Sequence, residues 1–134
     1  MPESRLPACS SISVFSSICP VAVARAAGPA ALAFLASHPD APLYASRICW
    51  AELAEGVTTL TEVNELLADY SIIEIDADIA WHTSRVARTL KTSGSHIGDN
   101  DCWIAGTALS KGLALVSRNV KHFSRLPALE CVQY

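Results

Sequence analysis

Asp99, Asn100 and Asp101 open the stretch "GDNDCWIAG" and are followed at once by Cys102, Trp103, Ile104, Ala105 and Gly106. Acids at the head of an apolar helical run have two explanations. They can start the helix, because carboxylates there accept from unpaired backbone N–H groups and oppose the dipole, worth about 0.3–1 kcal/mol each. Or they face something positive. A further carboxylate, Glu52, lies in "WAELAEG" between Trp50-Ala51 and Leu53-Ala54, where it is either half-buried with a purpose or on that helix's wet side. Two carboxylates about 4 Å apart repel by about 4 kcal/mol at an effective dielectric of 20. A site gathering Glu52, Asp101 and Asp99 therefore needs a divalent cation at neutral pH, and oxygen-only ligands favour Mg²⁺ or Mn²⁺ over zinc. Such an ion activates water and steadies the charge on a phosphodiester under attack.

Other chemistries do not fit the pattern. None of the four histidines has an i, i+4 partner suited to zinc, "GTALSKG" lacks the spacing of a phosphate-binding loop, and Ser117 has no G-x-S-x-G context. The five cysteines (9, 19, 49, 102 and 131) are odd in number and contain no C-x-x-C pair. Free thiols suit a reducing cytosol.

The carboxylates can meet only if the fold brings them to one place. At 134 residues, 51% hydrophobic and 17% charged, the chain suits a single folded domain. Residues 12–15 read as a short strand, 18–27 and 30–37 as helices, and 43–47 as a second strand. "ICWAELAEG" is a helix closed by Gly56, and Thr58 or Thr61 caps the next helix, "LTEVNELLADY". Residues 71–75 are β-branched and apolar, hence a strand, and Asp76 or Asp78 opens a helix running to about Thr92. The helix over 100–111 ends at Gly112. "LALVS" (113–117) is an all-apolar strand of the kind buried on both faces of a parallel sheet. Residues 129–132 form a last edge strand. Strands alternating with helices imply right-handed crossovers and an α/β fold, a three-layer α/β/α sandwich with a central, mainly parallel sheet. The expected organisation is a disordered extension over 1–11 and one domain over 12–134.

In such sheets ligands collect at the carboxyl ends of the strands. "LALVSRNVKHF" delivers Ser117, Arg118 and Asn119 to that edge. The helix before it runs antiparallel to the strand, so its start, with Asp99 and Asp101, lies at the same edge.

Net charge is −3, which by itself speaks against a nucleic-acid binder. The distribution does not: residues 81–125 carry seven basic side chains, Arg85, Arg88, Lys91, Lys111, Arg118, Lys121 and Arg125, against Asp99 and Asp101 alone. A local basic region attracts a polyanion even when the total is negative. The alternative is a set of solvated helix faces. Near the start, "SISVFSSICPVAVARAA" has the outline of a signal peptide, but four serines and Pro20 dilute it. No apolar run reaches the roughly 18–20 residues of a membrane span, and a cytoplasmic protein is expected.

The run "IGDNDCWIAGTALSKGLALVSRNVKHF" resembles the C-terminal signature of PIN-domain ribonucleases, in particular the VapC/FitB-type toxins of bacterial toxin–antitoxin pairs. The signature reads D-x-x-I-A-x-x-A-L, a short Gly-ended turn, then L-V-[ST]-R-[ND]-x-x-x-F. Asp101, Ile104, Ala105, Ala108, Leu109, Leu115, Val116, Ser117, Arg118, Asn119 and Phe123 match it. "ICWAELAEG" is similar to the family's second motif and puts Glu52 at its acidic position.

The resemblance implies that Glu52 and Asp101 bind the metal, with Asp99 a nearby acidic helper. Asn119 would act through the metal's water shell and Ser117 would support the site by hydrogen bonding. From the basic segment, Arg118, Lys121, Arg85 and Arg88 are the expected RNA contacts. The resemblance also implies Mg²⁺- or Mn²⁺-dependent RNA cleavage, a homodimer, and a cognate antitoxin whose C-terminal segment blocks the site. One position departs from the family. Its opening strand ends in an aspartate, and here Phe15 or Ser16 stands at that place. The alternative function is therefore a catalytically impaired PIN-like protein that binds antitoxin or RNA. An α/β domain binding a small molecule also fits the order of elements, but does not account for the basic segment or the paired motifs.

Overall fold

Ile12–Phe15 (β1), Tyr44–Ser46 (β2), Ser71–Ile73 (β3), Ala114–Ser117 (β4) and Cys131–Gln133 (β5) form one sheet in the order β3-β2-β1-β4-β5. Every pairing in it is parallel. The structure is a computed structural model describing residues 12–15, 33, 36–37, 42–117 and 120–133. The helices expected over 18–27 and 30–37, and the extension over 1–11, lie almost wholly outside the described residues.

The expected burial of β4 holds: Ala114, Leu115, Val116 and Ser117 are each at most 1% exposed, in a strand that lies between β1 and β5. Val14 pairs with Leu115 and Phe15 with Val116, so the ends of β1 and β4 stand level. The strand order also reverses here. From β1 the chain builds outward to β2 and β3 on one side, and later to β4 and β5 on the other. The crevice beyond the carboxyl ends of β1 and β4 is thus the switch point where α/β sheets bind ligands.

The helices are Arg47–Ala54 (α1), Leu60–Leu66 (α2), Ala77–Thr92 (α3), Asp99–Lys111 (α4) and Val120–Phe123 (α5). They pack on the sheet: α1 on β2, α4 on β1 and β4, and α5 against β5. The result is the expected α/β sandwich. Several boundaries differ from those expected, each for a local reason. β2 stops at Ser46 because the Ser46 hydroxyl caps α1, accepting from Cys49 N at 3.0 Å, so Arg47 is already helical. The cap of α2 is Thr59, not Thr58 or Thr61, since Thr59 and Glu62 form a reciprocal capping box. Asp76 rather than Asp78 caps α3, accepting from Ile79 N at 2.8 Å. β3 ends at Ile73, and the next residue, Glu74, turns out to pair with Arg47. β5 begins at Cys131, two residues later than expected.

The helices α3 and α4 pack most extensively. The helix α3 buries Ile79, Thr83, Val86 and Leu90, and α4 buries Cys102 and the run from Ile104 to Ala108. Gly106 lets them approach. A Cβ there would fall on Thr83 Oγ1 and lie 2.8 Å from Thr83 N and Cα. At the far end of the pair, Ser110 Oγ donates to Asp78 and Lys111 Nζ reaches Asp76 at 2.7 Å. Gly112 then closes α4 in the left-handed conformation, φ 66°. No helix among the described residues is long and apolar enough to cross a membrane.

Candidate active site

Because β2 passes into α1 without a loop, Glu52 comes in the second turn of a helix that starts at the carboxyl edge of the sheet. Gly98, at φ 102°, turns the chain into α4 from the other direction, and no side chain caps that helix. Its first turn, Asp99, Asn100 and Asp101, therefore stands at the positive end of the helix dipole. The two helices touch. At the contact, Asn100 Nδ2 donates to Glu52 Oε2 at 3.0 Å.

The other Glu52 oxygen, Oε1, is buried and has no hydrogen-bond partner among the described residues. Burial pushes the Glu52 carboxyl above the usual carboxylate range; the Asn100 amide draws it back, and the charges of Asp101 and Glu55 press it up again. A half-buried carboxylate with one unpartnered oxygen and an acidic neighbour is set up for a cation. The donor set fits Mg²⁺ or Mn²⁺, which keep part of their water shell and take one or two protein carboxylates. Among the described residues no third Asp, Glu, His or Cys joins the pair.

The other residues singled out from the sequence fall in three places. Asp101 is half-buried beside Glu52, whereas the Asp99 side chain is 94% exposed with His96 Nε2 3.8 Å away. Ser117 is fully buried at the end of β4, and Phe15 ends β1 opposite Val116. Ser16, Arg118 and Asn119 lie outside the described residues. Arg85, Arg88 and Lys121 are exposed, with the Arg85 guanidinium 4.3 Å over the Trp81 ring. Lys111, by contrast, is taken up by Asp76.

Asn100 was not among the candidate site residues read from the sequence. Its signal was its place between two aspartates in a first turn, where an amide can reach sideways to a neighbouring helix. Burial raises the thiol of Cys102, the charges of Asp99 and Asp101 raise it further, and Lys91 opposes them. Lys91 therefore belongs to the electrostatics of this edge.

The sequence matches the PIN domain over residues 16–129. The chain belongs to the PIN-domain family. It is 33% identical over 99 residues to Ribonuclease VapC1 of Haemophilus influenzae (strain R2866), covering 69% of this chain and 74% of that protein. It is 31% identical over 70 residues to the tRNA(fMet)-specific endonuclease VapC of Salmonella typhimurium (strain LT2), covering 52% and 53%. Its fold is similar to VapBC-1 from nontypeable Haemophilus influenzae, with a TM-score of 0.74 and 29% identity over 90% of this chain and 96% of that one.

Proposed function

We propose that this PIN domain is an endoribonuclease that cleaves RNA with Mg²⁺ or Mn²⁺ held by Glu52 and Asp101, and that it acts as the toxin of a type II toxin–antitoxin pair. The observation that carries the reading is the Glu52 carboxylate, half-buried, tied through Oε2 to Asn100 and left with a buried, unpartnered Oε1 near Asp101. Attraction to the positive end of the α4 dipole accounts for the exposed Asp99 but not for a carboxylate drawn into such a position. The named relatives, a ribonuclease and an endonuclease, support the same chemistry.

When bound, a divalent cation lowers the pKa of water and stabilises charge on the phosphodiester. The protein's own part is to hold the ligands in place. Ser46 fixes the start of α1 and so the direction of Glu52. Asn100 orients the Glu52 carboxylate, and Asp101 presents its own from the dipole-positive turn of α4. Ser117 would support the site by hydrogen bonding from the end of β4, Asn119 would act through the water shell of the ion, and Asp99 is an outlying acid. Arg118, Lys121, Arg85 and Arg88 take the RNA backbone. A homodimer and an antitoxin whose C-terminal segment covers the site complete the reading, which places the protein in the cytoplasm. The likeness to VapBC-1 supports the antitoxin.

A second reading, a PIN domain that binds antitoxin or RNA with impaired cleavage, draws on one observation: Phe15 ends β1 at the carboxyl edge, where the family's pattern has an aspartate. Cleavage of a mixed single-stranded and structured RNA pool with Mg²⁺ or Mn²⁺ separates the two. The test compares the wild type, Asp101→Asn and Phe15→Asp. Cleavage by the wild type that Asp101→Asn loses supports the nuclease. Cleavage only after Phe15→Asp supports the impaired form, and no cleavage by any of the three contradicts the nuclease.

A further inference from the structure

Trp81 is 59% exposed on the side of α3 opposite its buried residues, Ile79, Thr83, Val86 and Leu90. One turn on, the Arg85 guanidinium lies 4.3 Å from the centre of the Trp81 ring, and its Nε donates to Ser84 Oγ at 3.2 Å. Arg88 follows at the next turn on the same stripe. No acidic residue occurs between 79 and 98. The two acids at the start of the helix are engaged, Asp76 by Lys111 and Asp78 by Ser110 and His82. At the other end, α3 stops at Thr92 and the chain turns through Gly98 into the first turn of α4, which carries Asp101. Residues 81 to 91 span about 15 Å of helix, so the stripe runs from an exposed indole to the edge that carries the carboxylates.

An indole with a guanidinium already stacked on it is a flat π surface in a positive field. Nucleobases of an unpaired strand stack on such surfaces whatever their sequence, whereas a duplex keeps its base faces to itself. A second copy of this chain is disfavoured as the occupant. In a two-fold pair the same patch meets itself, which sets the Arg85–Arg88 face against its own copy with no acid between. We propose that Trp81, Arg85 and Arg88 form a stacking track for single-stranded RNA leading to the Glu52–Asp101 edge. The proposal rests on the ribonuclease reading and adds that the substrate is unpaired where it crosses α3.

The test is fluorescence anisotropy of a labelled twelve-nucleotide single-stranded RNA, and of the same RNA as a duplex, with the full chain in EDTA so that nothing is cut. Trp81→Ala should weaken single-strand binding about tenfold and leave duplex binding unchanged, while Trp81→Phe, which keeps a ring, retains most of the affinity. Arg85→Gln and Arg88→Gln should weaken binding and flatten its salt dependence. Equal single-strand affinity for Trp81→Ala and the wild type overturns the track. So does loss of self-association in Trp81→Ala at unchanged RNA affinity, which would give the stripe to a second copy. RNA cleavage by the wild type with Mn²⁺, measured alongside, separates the two failures: a wild type that cuts while Trp81→Ala binds normally sinks the track alone, and one that neither binds nor cuts sinks both.

Discussion

Asn100 and Glu52, 48 residues apart, are joined by a hydrogen bond of 3.0 Å between Nδ2 and Oε2. The bond ties the first turn of α4 to the second turn of α1, the two helices that supply the carboxylates. It uses one oxygen of Glu52 and leaves the other turned inward without a partner among the described residues. Groups that orient a metal ligand typically contribute 10–100-fold in affinity or activity. Asn100→Ala should therefore lower Mn²⁺ affinity and RNA cleavage by about 10–100-fold, with an unchanged far-ultraviolet circular dichroism spectrum. Wild-type affinity in that variant would show that Glu52 needs no tether.

The metal-free site should cost stability. The Glu52 carboxyl is raised, first by burial, so the folded protein holds that proton more tightly than the unfolded chain. Stability then falls as pH rises from the usual glutamate range through the raised folded value. Glu52→Gln should raise the melting temperature of the metal-free protein at pH 7, while abolishing cleavage. A lower melting temperature in the variant would show that the carboxylate is structural.

Gly106 is a point of close approach between α3 and α4. An added Cβ meets Thr83 backbone atoms at 2.8 Å, which a side-chain rotation cannot relieve. Overpacking of this kind costs about 1–3 kcal/mol, so Gly106→Ala should lower the melting temperature by roughly 4–10 °C. The displacement would also move the start of α4, so cleavage should fall as well. A variant as stable as the wild type would mean that the helices slide apart freely.

Acid should weaken the other end of the same helix pair. The Lys111 ammonium holds the Asp76 carboxyl below its usual range, helped by the N–H of Ile79. A depressed carboxylate contributes stability above its unfolded pKa and loses it as pH falls through the folded value. Asp76→Asn keeps a side-chain cap but loses the ion pair. Its deficit in urea unfolding should be present at pH 7 and shrink in acid; a deficit constant with pH would assign the effect to capping alone.

Much of this was legible in local sequence. Four consecutive residues with almost no surface, Ala114 to Ser117, come from an apolar run bounded by Gly112, and such a run marks a central parallel strand. The spacing from Asp101 to Ile104, Ala105 and Ala108 sets one acid at the mouth of a buried helix face, and Glu52 sits among apolar neighbours that draw it half inside. What remained hidden depends on contacts between distant segments. Three threonines compete to cap α2, and only the Glu62 side chain reaching back to Thr59 decides among them. The role of Asn100 exists only because α1 meets α4. An isolated sequence does not show whether Trp81 is packed or exposed, and here it lies in the open under Arg85.

The most direct measurement is calorimetric titration of Mn²⁺ into the wild-type protein, Glu52→Gln and Asp101→Asn, with melting temperatures recorded in parallel. A site shared by these two carboxylates predicts one ion per chain and a higher melting temperature on binding, both lost in each variant while the fold persists. Mn²⁺ binding of equal strength in all three proteins would contradict it.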